Sequence, residues 1–256
     1  MEAKEYRLNI DPRILELLGP SLYTNIYYII AELIANAYDA DAHNVYIIDC
    51  EDKITVEDDG NGMSYAGGDI DKYLNVARVS RNSEDDAETA LGRKKMGRKG
   101  VGKLAALSVS ENVLVKTIVN DEKSGFVLSR TVKEDRLLQS LDESDINFEK
   151  ITQHGTAIVM LNPQYQLHAT VKAIRRNLLK LFPMVSEDFK IHIIRGKEEA
   201  VISNFDKDII KELASLITLG DDFKYLTDIF ETEYPDLKSE LCNSRQAIKI
   251  PLQMNN

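Results

Sequence analysis

The stretch from Glu32 to Ala40, E-L-I-A-N-A-Y-D-A, constrains this chain more than any other. On a helix advancing by about 100° per residue, Glu32, Asn36 and Asp39 share one stripe roughly 60° wide. Ile26, Ile30, Leu33, Ile34 and Ala37 fall on the opposite side, as a core-packing face requires. Two carboxylates and a carboxamide then project together from a helix held from behind. Such groups orient a water and hold a hard cation through oxygen. The same pattern also describes the solvated face of an ordinary amphipathic helix, so the residues beyond Ala40 have to decide between the two.

Two strands are expected next, Val45 to Asp49 and Lys53 to Glu57, turning at Glu51-Asp52 and packed under the helix. They run into Asp58-Asp59-Gly60-Asn61-Gly62-Met63, a D-x-G-x-G directly after a strand. Paired glycines let a backbone approach a flat ligand closely, and a carboxylate at a strand end accepts from an exocyclic amine. An unliganded D-G-N-G turn has the same composition. Residues 64 to 96 form a long polar connection with a short helix expected at Asp69 to Val76, the kind of segment that often acts as a lid. It ends in G-R-K-K-M-G-R-K-G-V-G-K-L-A-A-L, residues 92 to 107. There glycines precede an apolar helical run with Arg98, Lys99 and Lys103 alongside, an anion site suited to phosphates. Gly97 to Lys103 also satisfies G-x-x-x-x-G-K, but Leu104 stands where that phosphate loop needs Ser or Thr for magnesium. No buried strand precedes it, and the Walker reading is set aside.

The remainder reads as strands at Val113 to Val119, Gly125 to Val132, His154 to Leu161 (opening on Gly155-Thr156) and Phe189 to Ile194. A short helix is expected from Asp11 to Leu18, and an amphipathic helix from Leu167 to Leu181 with Arg175, Arg176 and Lys180 on its wet side. Beyond Gly196, helices are expected at Asp206 to Leu219 and Asp222 to Glu231, then a strand from Ala247. The division expected is one domain over residues 1–195, with a lid at about 64–99, and a mainly helical extension over 196–256.

Composition excludes several classes. Two distant cysteines, Cys50 and Cys242, make no disulfide framework and suit a reducing, cytoplasmic setting. No secretory signal opens the chain, and the apolar run from Ile26 to Ala37 is too short to span a bilayer. A net charge of −10 argues against broad nucleic-acid binding, although a local patch overrides such an average. Arg93, Lys94 and Lys95, with Arg98, Lys99 and Lys103, are the candidate patch.

The three boxes in this order, with Gly-Thr on a later strand, resemble the ATP-binding domain of the GHKL superfamily, named for gyrase B, the ninety-kilodalton heat-shock chaperones, histidine kinases and MutL. The resemblance covers roughly residues 20 to 195, and its glycine box is closest in style to the chaperone and MORC-type ATPases. It implies an α/β, two-layer fold: a twisted, mostly antiparallel sheet with helices on one face. It implies ATP and Mg²⁺ as ligands. Glu32 is then the general base for water, Asn36 the magnesium ligand and Asp39 its polar neighbour. Asp58 accepts from the adenine amine, with Gly60, Gly62 and Met63 around the base and Thr156 assisting. Gly97, Lys99, Gly100, Val101, Gly102 and Lys103 cradle phosphate. Glu32 favours the ATPase branches. The histidines, His43, His154, His168 and His192, lie inside or after the boxes and not on a preceding helical segment, as a histidine kinase requires. An ATP-dependent homodimer acting on a protein or nucleic-acid partner is expected, with no membrane association. A nucleotide-gated interaction module with negligible turnover is the alternative.

Overall fold

The computed structural model describes residues 4–9, 25–75, 88–96, 102–131, 136–181 and 188–203, and thereafter 205–211, 213, 215–219, 221, 224–234 and 246–250. The helix expected at Asp11 to Leu18 lies outside them.

The helix carrying the polar stripe, α1, spans Ile26–Asp39. Asn25 caps it, its side chain accepting from the Tyr27 N–H at 3.0 Å. Its far end closes with paired bonds, Ala42 N–H to the Ala37 carbonyl and Asp41 N–H to that of Tyr38, both 3.1 Å. Asp41 takes the left-handed position of this motif at φ 60°, which Asp tolerates better than most residues. Ile26, Ile30, Leu33, Ile34 and Ala37 are all buried, as the periodicity requires.

Nine strands form one sheet in the order β1-β6-β5-β4-β7-β3-β2-β8-β9. They are β1 (Tyr6–Arg7), β2 (Asn44–Asp49), β3 (Lys53–Asp58), β4 (Asn112–Val119), β5 (Glu122–Ser129), β6 (Leu137–Ser140), β7 (His154–Leu161), β8 (Lys190–Arg195) and β9 (Glu198–Ile202). Every described pairing in it is antiparallel except β2 with β8. One face carries the main core, where Val45, Ile47, Ile54, Val56, Val113, Val115, Ile158 and Met160 meet α1. The 3-10 helix Gly102–Ser108 and α3 (Val171–Leu179) complete that layer. The expected architecture, a mixed fold with a large and mostly antiparallel sheet and helices over one face, is therefore the observed one.

Some elements keep their sequence readings and others differ. The apolar run after the glycine box is helical as read, its turns being of the 3-10 kind, with Leu104, Ala105, Ala106 and Leu107 buried against α1 and the sheet. The short helix expected in the connection after residue 63 is present as α2 (Asp69–Leu74), which buries Ile70 and Leu74. Three strands, β1, β6 and β9, had no clear signal, being short or at the sheet edge. Through β9 the sheet continues past residue 195. The helix expected over Asp206 to Leu219 splits into α4 (Phe205–Ile210) and a strand, β10 (Ser215–Leu219). β10 pairs in parallel with β11 (Gln246–Ile250), and α5 (Lys224–Glu233) lies between them in sequence. Arg175, expected on the wet side of α3, instead pairs with Asp208 of α4 at 2.6 Å, both largely buried.

Candidate functional site

The site lies where the apolar ladder of the core face gives way to polar residues. Val56 of β3, Ile158 of β7 and Val115 of β4 stand side by side across the sheet. Two residues further along, the matching row is Asp58, Thr156 and Thr117. Side chains two apart on a strand share a face, so the carboxyl and two hydroxyls end the core on its helix side.

Asp58 is 8% exposed, and its Oδ1 accepts from the Gly60 N–H at 2.9 Å. Burial pushes its carboxyl up to about 7, against the pull of the Gly60 and Thr156 backbone bonds; the charges of Asp59 and Glu57 add to the rise. An amine donor set against this desolvated carboxyl would favour its ionised form. The neighbouring Asp59 does something else. It accepts from the His43 and Asn44 N–H groups, each at 2.7 Å, and from the Asn44 side chain, which ties the loop to the start of β2.

The glycines of the second box make close approaches within the protein. A Cβ on Gly60 would lie 2.8 Å from the Ala40 carbonyl oxygen, and one on Gly62 only 2.6 Å from that of Ile118. Gly62 is also at φ 67°. Asn61 donates to the Ala40 carbonyl at 2.9 Å, which joins this loop to the end of α1 and sets the first box beside the second. Met63 donates its N–H to Thr117 Oγ1 at 2.8 Å, and that hydroxyl donates to the Gly155 carbonyl at 3.0 Å. Sequence reasoning missed Thr117, whose only signal is a hydroxyl at the end of an otherwise apolar strand face. Gly155 is the tightest glycine of the described residues: a Cβ there would fall 1.9 Å from the Asp58 carbonyl oxygen. His154 bonds the Gly60 carbonyl through Nδ1 at 2.8 Å.

Glu32, Asn36 and Asp39 are each half-buried on α1. Among the described residues neither the Glu32 carboxylate nor the Asn36 carboxamide engages a hydrogen-bond or ion partner. One helical turn apart, they offer oxygen donors of the kind a hard cation takes. Asp39 is engaged: its Oδ1 accepts the Met96 N–H at 2.7 Å. That bond secures one end of the glycine box, and packing of Leu104 to Leu107 secures the other. Gly97, Lys99, Gly100 and Val101 lie outside the described residues. Gly102 and Lys103 open the 3-10 helix, and only their backbone is described.

The candidate basic patch loses its first member. Arg93 is 8% exposed, donates from Nη1 to the Ala42 carbonyl at 2.6 Å, and lies 4.8 Å from the Tyr38 ring centroid and 5.7 Å from that of Phe189. It fastens the segment 88–96 to the end of α1 and the start of β8, and it is not presented to a nucleic acid. Lys94 and Lys95 are exposed.

No helix among the described residues is long and apolar enough to cross a membrane. A family profile described as "Histidine kinase-, DNA gyrase B-, and HSP90-like ATPase" matches residues 23–156, more than half of the chain. The match opens just before α1 and ends on Thr156. The chain is also similar to a putative type II restriction enzyme, HgiDII, of Herpetosiphon aurantiacus, at 28% identity over 238 residues. That similarity covers 90% of this chain and 38% of the relative's length.

Proposed function

Because the chain belongs to the histidine kinase-, DNA gyrase B- and HSP90-like ATPase family, we propose that it binds ATP with Mg²⁺ at this site and hydrolyses it. The observation that carries the reading is the row Asp58–Thr156–Thr117 ending the core face beside α1, on which Glu32 and Asn36 keep oxygens that no described residue engages. The donor set fits the ligand. Asp58 would take the adenine amine, Thr156 assists it, and Asn36 would hold the metal. Bound Mg²⁺ supplies charge neutralisation at the phosphate oxygens. Glu32 orients a water and receives its proton, a positioning role that suits phosphoryl transfer. Asp39, through Met96, keeps the glycine box close to α1.

The finer cycle belongs to the same proposal. The lid expected over about 64–99 belongs to it, with residues 69–74 and 88–96 anchored against the core and 76–87 and 97–99 outside the described residues. ATP closes it, and closure drives pairing of two copies. The relative's printed name favours nucleic acid over a client protein as what the cycle acts on, with this chain as the ATPase part of a longer assembly. Glu32→Ala tests the enzymatic step. Turnover should fall at least about a hundredfold, in the range general-base loss produces, with ATP affinity within twofold of the parent. Unchanged turnover would remove Glu32 from the mechanism. A parent that binds ATP without turnover would leave the nucleotide-gated interaction module as the better reading.

A further inference from the structure

We propose that Thr117 is a positioning residue for purine selection, the group that sets where the Asp58–Met63 loop stands against the sheet. The inference rests on Asp58 being the adenine acceptor. Thr117 is fully buried on β4, in register with Thr156 and through it with Asp58. Its hydroxyl is used twice, as acceptor for the Met63 N–H at 2.8 Å and as donor to the Gly155 carbonyl at 3.0 Å. A hydroxyl has one proton, so donation to Gly155 commits its lone pairs toward Met63. One side chain therefore joins the loop after β3 to β4 and β7.

The loop has little slack around this point. Gly62 lies flush on the Ile118 carbonyl and Gly155 flush on that of Asp58, each closer than a Cβ allows. Ala40 holds Asn61, and the Asp58 carboxyl is tethered to Gly60. A shift at Met63 thus passes through Gly62, Asn61 and Gly60 to the group that reads the base. If the hydroxyl is removed, two buried polar groups lose their partner. The less costly escape is for the loop to lift off β4, which displaces the Asp58 carboxyl. Adenine and guanine differ in presenting a donor or an acceptor to that carboxyl, so displacement erodes discrimination as well as affinity.

A core-filling role for Thr117 makes a different forecast, and three variants separate the two. Thr117→Val keeps the shape without the hydroxyl, Thr117→Ser keeps the hydroxyl, and Thr117→Cys fills similar volume with weak hydrogen bonding should the valine variant not fold. Affinity for ATP and GTP is measured for each by calorimetry with Mg²⁺, beside a thermal melt. The valine or cysteine variant should lose at least tenfold in ATP affinity and at least fivefold in the ATP-to-GTP ratio, while serine stays within threefold of the parent on both. A lower melting temperature with an unchanged ATP-to-GTP ratio, or serine failing to restore selectivity, overturns the proposal. A parent protein that does not prefer ATP over GTP overturns the reading of Asp58 itself, and shows it before any substitution is made.

Discussion

Asp58 makes the affinity of this site for adenine depend on pH in a direction that the structure specifies. The amine of the base donates, so the ionised carboxylate is the binding form. With its carboxyl raised to about 7, Asp58 is about 9% ionised at pH 6 and about 91% at pH 8. Apparent affinity scales with the competent fraction, so it should rise about tenfold across that interval, or ~1.4 kcal/mol. Adenosine is the suitable probe because it has no phosphates of its own to titrate. Calorimetry at pH 6, 7 and 8 measures the slope. Buffers of different ionisation heat should also register release of about half a proton per adenosine at pH 7. Stability moves the other way. The folded protein holds a proton that the unfolded chain sheds near 3.8, so between about pH 4 and 7 rising pH removes stability, on the order of 4 kcal/mol from this group. Asp58→Asn should bind adenosine at least ~1.4 kcal/mol more weakly at pH 8 and lose both slopes. Affinity that is flat or falls from pH 6 to pH 8, or an asparagine variant that keeps the parent's slope, refutes the reasoning.

Gly155→Ala should be the most destabilising single-methyl change in the site. Its Cβ would overlap the Asp58 carbonyl at 1.9 Å and the backbone is at φ 140°, so a loss of about 3 kcal/mol or more is expected. A melt should show a fall of roughly 6–12 °C, and a change under about 2 °C would mean that β7 and β3 separate easily there. Asn36→Ala should leave adenosine binding intact while removing the Mg²⁺ dependence of ATP-analogue binding, checked by titration with and without the metal; persistence of that dependence in a folded variant rules out the ligand assignment. Arg93→Met keeps an apolar stem but strips the Ala42 carbonyl of its donor and the aromatic rings of their cation, at a cost of about 1–3 kcal/mol in a denaturant melt. Its affinity for DNA should match the parent's, and weaker DNA binding at unchanged stability would restore Arg93 to the basic patch.

The segments legible from sequence are those whose signal is local. Five apolar residues at helical spacing determined which side of α1 is buried, and all five are in the core. The order of three boxes was by itself enough to indicate the family. Short apolar and β-branched runs bounded by turn residues placed β2, β3, β4 and β7 to within a few positions, a local signal that holds for a strand buried on both faces, such as β3, as well as for an alternating one, such as β4. What the tertiary structure alone decided depends on partners distant in the chain. Ser215 to Leu219 continued a helical pattern, and only the parallel partner at Gln246–Ile250 makes it a strand. Arg93 reads as part of a basic run, yet its neighbours in space are Tyr38, Ala42 and Phe189, which turn a surface charge into a buried clasp. Gly60 and Gly62 read as a close approach for a ligand, and only the tertiary structure shows that they also sit against the carbonyls of Ala40 and Ile118. Thr117 carries no motif at all. It became a candidate because strand register placed its hydroxyl beside Met63 and Gly155, and register is set by the pairing of whole strands, which no single stretch of sequence encodes.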